Sequence, residues 1–266
     1  MTVMNTEWIG DASAEQVMVF CHGILGSGRN WRSFARQMIA RHPHWRALLV
    51  DLRNHGDSPA MPGPHTVAAC ADDLARLAEQ VGTFDAVIGH SFGGKVALAY
   101  ADQRPPDLHQ VWSLDADPGP LEGPFEEMEV PQVIAALRTV PMPIARREDL
   151  VTHLTGQGLS MPLARWMTTN VRRADGGLVW AFDLDGVEAM ITDYATLDLW
   201  SVLDVPIADL EIHVLHALNS DRWSTAMVQR ARYAAAATTH ALPEAGHWVH
   251  VDNPEGLLRL MSPYFD

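Results

Sequence analysis

Residues 87–100 read VIGHSFGGKVALAY, an apolar run broken by a glycine-rich turn and followed by a helical pattern. As Gly89-x-x-x-x-Gly94-Lys95 the turn fits a phosphate-binding loop; as Gly89-His90-Ser91-Phe92-Gly93 it fits the G-x-S-x-G turn that exposes a catalytic serine. A phosphate loop needs a Ser or Thr after its lysine to hold Mg²⁺, and Val96 stands there. Bulky Phe92 also occupies the loop. Asp115, at the end of VWSLD, could pass for the acidic strand of such a metal site, but it does not replace the hydroxyl. A serine on a sharp strand-to-helix turn needs small flanking residues, because strand and helix nearly touch there. Gly89 and Gly93 supply them, Gly94 adds room, and Ser91 falls at a helix N-terminus whose dipole favours developing negative charge.

Working outward, short apolar runs alternate with helical periods. Residues 17–21, 46–51, 84–89, 109–115, 211–217 and 238–242 read as strands. Between them, 67–81 places Val67, Cys70, Ala71, Leu74, Leu77, Ala78 and Val81 on one helical face. Near-continuous apolar strands separated by helices predict a mostly parallel sheet with helices on both faces. From about Pro118 to Leu203 the strand rhythm stops. VPQVIAALRTV, REDLVTHLTGQ, LARWMTTNVRRA and VEAMITDYATLDLW all read as helical. The expected organisation is therefore a core of residues 1–117 and 204–266, with a helical lid of residues 118–203 inserted between two strands. Such a lid would stand over the C-terminal strand edge, where open α/β sheets bind ligands.

Composition narrows the partners. The 266 residues carry a formal charge of −14 with no Lys/Arg cluster, which argues against nucleic acid and anionic membranes. It also disfavours polyanionic substrates and leaves neutral or cationic small molecules. No apolar run approaches the about 18 residues that span a bilayer. MTVMNTEWIGDAS lacks the pattern of a secretory signal, and Cys21 and Cys70 make no disulfide framework, so a cytoplasmic location is expected.

A serine hydroxyl is a weak nucleophile and requires a base and an orienting acid from elsewhere in the chain. His247, in the Gly246-His247-Trp248 turn between the last strand and the final helix, is the candidate base. His247-x-x-His250 has metal-ligand spacing, but no carboxylate or Cys cluster accompanies it, so no metal is expected. Two backbone N–H groups must face the developing oxyanion. The expected donors are Phe92, after the nucleophile, and Ile24, in the His22-Gly23-Ile24 loop after the first strand. For the acid, Asp115 ends the strand that follows the nucleophile helix, and Asp221 lies just beyond the next strand. Asp115 is favoured, Asp221 is the alternative, and Asp117 is a third candidate further past the strand end. Asp51 with Asn54-His55-Gly56-Asp57 reads as a structural turn beside the oxyanion loop. Lys95 reads as an ordinary residue of the helix. Met161, Trp166, Trp180, Phe182 and Met190 are candidates to line an apolar pocket, although core packing explains each equally well.

With these residues in place, the chain resembles α/β-hydrolase-fold serine esterases over essentially its whole length. It is most similar to a subgroup of small bacterial esterases and their mitochondrial relatives, the abhydrolase-domain lipid hydrolases. The motifs that carry the resemblance are His22-Gly-Ile-Leu-Gly-Ser27, Asp51-Leu-Arg-Asn-His-Gly-Asp-Ser58, Gly89-His-Ser-Phe-Gly-Gly-Lys95, Asp115-Ala-Asp-Pro118, Trp180-Ala-Phe-Asp183, Ala217-Leu-Asn-Ser220 and Gly246-His-Trp-Val-His250. The resemblance implies two-step acyl-enzyme hydrolysis of a small-molecule ester with no cofactor, and it favours Asp115 as the acid. One departure is Ala217-Leu218 where the subgroup carries two glycines. A thioesterase, an amidase, a C–C bond hydrolase, a cofactor-free lyase or haloperoxidase-like enzyme, and a catalytically inactive ligand-binding homologue remain as alternatives on the same fold.

Overall fold

The computed structural model describes residues 4–266; residues 1–3, the start of the stretch read for a signal segment, lie outside the described residues. One sheet is built from β1 (Thr6–Ile9), β2 (Gln16–Cys21), β3 (Trp45–Val50), β4 (Ala86–His90), β5 (Gln110–Leu114), β8 (Glu211–Ala217) and β9 (Ala237–Leu242). Its seven strands lie in the order β1-β3-β2-β4-β5-β8-β9. β1 runs antiparallel on β3, and every other pairing is parallel. The apolar runs become strands buried from both sides: every residue of β4 is buried, as are Val17–Cys21 of β2. The antiparallel edge strand β1 lacks that signature, since TEWI is only half covered, and its residues gave no strand signal.

Helices α1 (Arg32–Arg41), α2 (Val67–Val81), α3 (Phe92–Asp102), α9 (Thr225–Tyr233), α10 (Val249–Asp252) and α11 (Pro254–Met261) belong to this layer system. Two hydrophobic cores result, one on each face. Phe34 and Met38 of α1 pack with Leu257 and Met261 of α11 against Phe20 and Trp112. On the other face Leu74 of α2 and Val96 of α3 pack against Val19 and Val87. The predicted helix at 67–81 forms as expected; Thr66 accepts the Ala69 N–H at its start, a cap contributing about 1 kcal/mol.

Between β5 and β8 lie α4 (Glu129–Arg138), α5 (Arg147–Gly156), α6 (Met161–Met167), α7 (Leu184–Thr196) and α8 (Trp200–Asp204). The all-helical expectation for this segment fails at one place. LARWMTTNVRRA does not continue as a helix: α6 ends at Met167, and β6 (Val171–Ala174) pairs antiparallel with β7 (Gly177–Trp180). The Asp175-Gly176-Gly177 turn explains the error, since Gly176 takes φ +84° and Gly177 φ +150°, which a helix cannot use. The insertion is not separate from the core. Ile134, Leu150, Val187 and Met190 join the same apolar cluster as α2 and α3.

The parallel register brings Cys21 opposite Gly89, and His90 opposite Leu114. The loops after β2, β4, β5, β8 and β9 therefore emerge along one edge of the sheet, and the candidate residues sit on those loops. Among the described residues no helix is long and apolar enough to cross a membrane.

Candidate active site

Ser91 sits between β4 and α3 with φ +53° and ψ −118°, a backbone state that L side chains rarely adopt. The turn is possible because its neighbours lack side chains. A Cβ on Gly89 would overlap the Gly93 carbonyl, and one on Gly93 would lie 2.7 Å from the His22 carbonyl oxygen. The strain turns the Ser91 hydroxyl off the strand line into a cavity of about 570 Å³.

His247 reaches the same point from the loop after β9. Its Nε2 is 3.0 Å from Ser91 Oγ, and its Nδ1 is 2.8 Å from Asp115 Oδ2. An ionised carboxylate only accepts, so Nδ1 carries the proton and Nε2 is left to accept from the Ser91 hydroxyl. Asp115 is fully buried at the end of β5, again in a left-handed backbone state (φ +49°). Its Oδ1 accepts the Ala217 N–H at 2.9 Å, and its Oδ2 also accepts the Ser220 hydroxyl at 2.6 Å. Asp221 borders the same cavity but makes no hydrogen bond to His247: its side chain is 95% exposed, and its ion-pair neighbour is Arg222 at 3.7 Å. A hydroxyl, a neutral imidazole and a buried carboxylate bonded in series can deprotonate the hydroxyl as it attacks an electrophilic carbon.

The loop after β2 closes against the serine. A Cβ on Gly23 would stand 3.5 Å from Ser91 Cβ. Neither the Ile24 nor the Phe92 backbone N–H donates to an acceptor among the described residues. The loop is held by two buried histidines. His22 Nε2 accepts the Leu52 N–H, and His55 Nε2 accepts the Leu25 N–H, each at 3.0 Å. Asp51 fastens the neighbouring turn by accepting the N–H groups of Gly28 and Asp57 and the Asn5 amide. The stretch from Asp51 to Asp57 is thus a brace, as its turn chemistry indicates.

Of the pocket candidates, Trp166 lines the cavity. Trp180 and Phe182 do not; they stack on each other with ring centroids 5.0 Å apart, beside the Phe182–His55 bridge. Met161 is 45% exposed on α6, while Met190 is buried with its sulfur accepting the Asn54 amide. Periodicity marks which residues are apolar but not which of them face an empty volume, so these could not be separated by sequence.

Three residues gained roles the sequence did not announce. His90 is buried beneath the His247 loop, and its Nε2–H donates to the His247 carbonyl at 2.6 Å. Burial, reinforced by the neighbouring His247 and His250, holds its imidazole well below the ordinary histidine value. Ser220, which the sequence showed only as the last residue of the Ala217-Leu-Asn-Ser220 motif, donates its hydroxyl to Asp115. Lys95 is not an ordinary helix residue. It is fully buried, its ammonium donates to the carbonyls of Gly119, Tyr194 and Leu197, and burial pulls it down to about 8. It ties α3 to both ends of the insertion. The position next to the elbow was visible, but its carbonyl partners lie 24 to 102 residues away. Among the described residues no group of three or more His, Cys, Asp or Glu is gathered to hold a metal; His250 instead packs its ring on Trp31.

Burial of neutral imidazoles has a consequence for stability. His22 is lowered and His55 falls to about 3 because burial disfavours the charged ring. With His90, these groups bind protons more readily in the unfolded chain, below about pH 6.5, than in the native one. Their contribution is complete above that value and is lost as pH falls through it. Asp117, which burial lifts to about 6, acts oppositely below that pH, but His42, His213, His216, His240 and His250 are lowered by burial as well and add to the loss. The melting temperature is expected to fall steadily from pH 7 to pH 5, as followed by circular dichroism; a flat profile would contradict the assignment.

Comparison with known proteins agrees with this architecture. The alpha/beta hydrolase family matches residues 18–260, and the chain belongs to that family. It is 29% identical to the mouse sn-1-specific diacylglycerol lipase ABHD11 over 261 residues, covering 96% of this chain and 82% of that protein. It is 25% identical to esterase YbfF of Escherichia coli K12 over 258 residues, covering 94% and 92%. Among solved structures, a marine microorganism esterase superposes with a TM-score of 0.87 at 23% identity, covering 99% of this chain and all of that one. The protein is a hydrolase of the α/β-hydrolase fold.

Proposed function

We propose that the protein hydrolyses carboxylic esters of small, neutral or apolar acyl groups, with Ser91 as nucleophile, His247 as general base and Asp115 as the orienting acid. The observation that carries this reading is the hydrogen-bonded series Ser91–His247–Asp115 opening into the cavity. His247 Nε2 takes the hydroxyl proton as Ser91 Oγ bonds to the ester carbon. The carbonyl oxygen becomes an oxyanion that the Ile24 and Phe92 N–H groups receive. As the tetrahedral intermediate collapses, His247 returns the proton to the leaving alcohol. Water then adds to the acyl-enzyme by the same route and releases the acid and Ser91.

The cavity wall contributed by the insertion, with Leu121, Val133, Leu163, Trp166 and Ile191, suits an apolar acyl chain and supports reading residues 118–203 as a lid over the nucleophile. The names of the two relatives, a lipase and an esterase, support an ester over a thioester or amide substrate. A panel of p-nitrophenyl esters from acetate to decanoate, set beside matched thioesters and anilides, tests this. Esters are expected to give the highest kcat/KM. A panel in which only thioesters or anilides are cleaved overturns the substrate class, and one in which nothing reacts favours a retired binding protein.

A further inference from the structure

Four aspartates are buried among the described residues: Asp51, Asp73, Asp115 and Asp117. Burying a carboxylate is costly unless its oxygens are hydrogen-bonded, so each of these should be accounted for. Asp51 accepts three donors. Asp73 takes both arms of the buried Arg53 guanidinium. Asp115 accepts from Ala217, Ser220 and His247. Asp117 does not fit this pattern. It is 3% exposed, yet a single hydrogen bond reaches it, from the Gly119 N–H to Oδ1 at 2.8 Å. The nearby cation does not complete it, because the Lys95 ammonium is committed to three backbone carbonyls. Asp117 also lines the cavity that contains Ser91 and His247. Its Oδ2 has no hydrogen-bond partner among the described residues and is not sealed among protein atoms, so it is an acceptor open to the cavity that Asp117 lines.

We propose that the Asp117 carboxylate is a recognition group for a hydroxyl carried by the ester substrate. The inference rests on the esterase reading and refines it: the substrate is an apolar ester bearing a hydrogen-bond donor, not a plain hydrocarbon. A hydroxyl suits the position better than an ammonium, because the Lys95 ammonium already lies near enough to act on Asp117 and a second cation there would be repelled by it. A site built to bond a hydroxyl discriminates strongly against an analogue without the donor, because a substrate that fills the cavity excludes water and leaves the acceptor unpaired.

The test compares each hydroxylated ester with its methyl ether, which keeps the oxygen and loses the proton. Ethyl 6-hydroxyhexanoate is set against ethyl 6-methoxyhexanoate, and 2-hydroxyethyl hexanoate against 2-methoxyethyl hexanoate, so that the donor is presented on either side of the ester bond. Ethyl hexanoate is the reference, and kcat/KM is read by titration at pH 8. The wild-type enzyme is expected to prefer the hydroxyl member of at least one pair by about tenfold to a hundredfold. Asp117→Asn keeps an acceptor for Gly119 but turns an amide N–H₂ toward the cavity, and is expected to abolish the preference while ethyl hexanoate is still turned over. Asp117→Ala serves the same purpose if the Asn variant folds poorly. A preference that survives both substitutions is steric and overturns the proposal, as does a wild-type enzyme that cleaves ethyl hexanoate but treats both pairs alike. A wild-type enzyme that cleaves none of these esters fails the esterase reading instead and takes this proposal with it.

Discussion

Ser91→Ala is expected to lower kcat for p-nitrophenyl butyrate by about 10⁴- to 10⁶-fold, leaving only the background that oriented N–H donors and substrate binding provide. The size of the effect follows from the geometry. Ser91 is the hydroxyl within hydrogen-bond distance of His247 Nε2 in the cavity, and without it no covalent intermediate forms. Folding should persist, because an alanine at this position inherits the same unusual backbone state and the glycines that permit it remain. Circular dichroism and a thermal melt alongside the kinetics separate the two effects. Near-normal turnover by a folded Ser91→Ala protein would remove the acyl-enzyme mechanism altogether.

Asp115→Asn should cost about 10³- to 10⁴-fold in kcat, whereas Asp221→Asn should stay within about twofold of wild type. The asparagine can keep an oxygen on the Ala217 N–H, but its amide nitrogen then faces His247 Nδ1. Two donors cannot share that contact, so the imidazole must turn over to the tautomer with its proton on Nε2, and Ser91 loses its base. Asp221 is exposed and makes no hydrogen bond to His247, so its charge is screened by water. Steady-state kinetics of the two variants on one ester decide the matter. Loss of turnover in Asp221→Asn alone would reassign the acid.

Much of the fold was readable because its signals are local. Apolar runs such as VMVFC and FDAVIG mark strands covered from both sides, and the 67–81 periodicity marks a helix with one buried face. The elbow was equally readable, since the need for glycine on both sides of Ser91 is a steric demand within five residues. The β6–β7 hairpin was missed because RWMTTNVRRA carries no strand alternation strong enough to compete with its helical neighbours, and only the paired glycines at 176 and 177 hinted at a reversal. β1 was missed because an edge strand is covered on few sides and leaves a weak pattern.

Sequence by itself determined the chemical types: a strained serine, a histidine after the last strand, candidate acids at strand ends, and a parallel sheet to carry them. Only the tertiary structure decided which aspartate stands behind His247. Asp115 and Asp221 are both acids just beyond parallel strands, and their difference is one of burial and direction, set by the Ala217 N–H and the Ser220 hydroxyl across 102 and 105 residues of chain. Long-range packing likewise made Lys95 a buried tie, excluded Trp180 and Phe182 from the cavity wall, and left Asp117 with one oxygen unpaired. Those outcomes depend on where distant backbone groups end up, and no window of sequence encodes that.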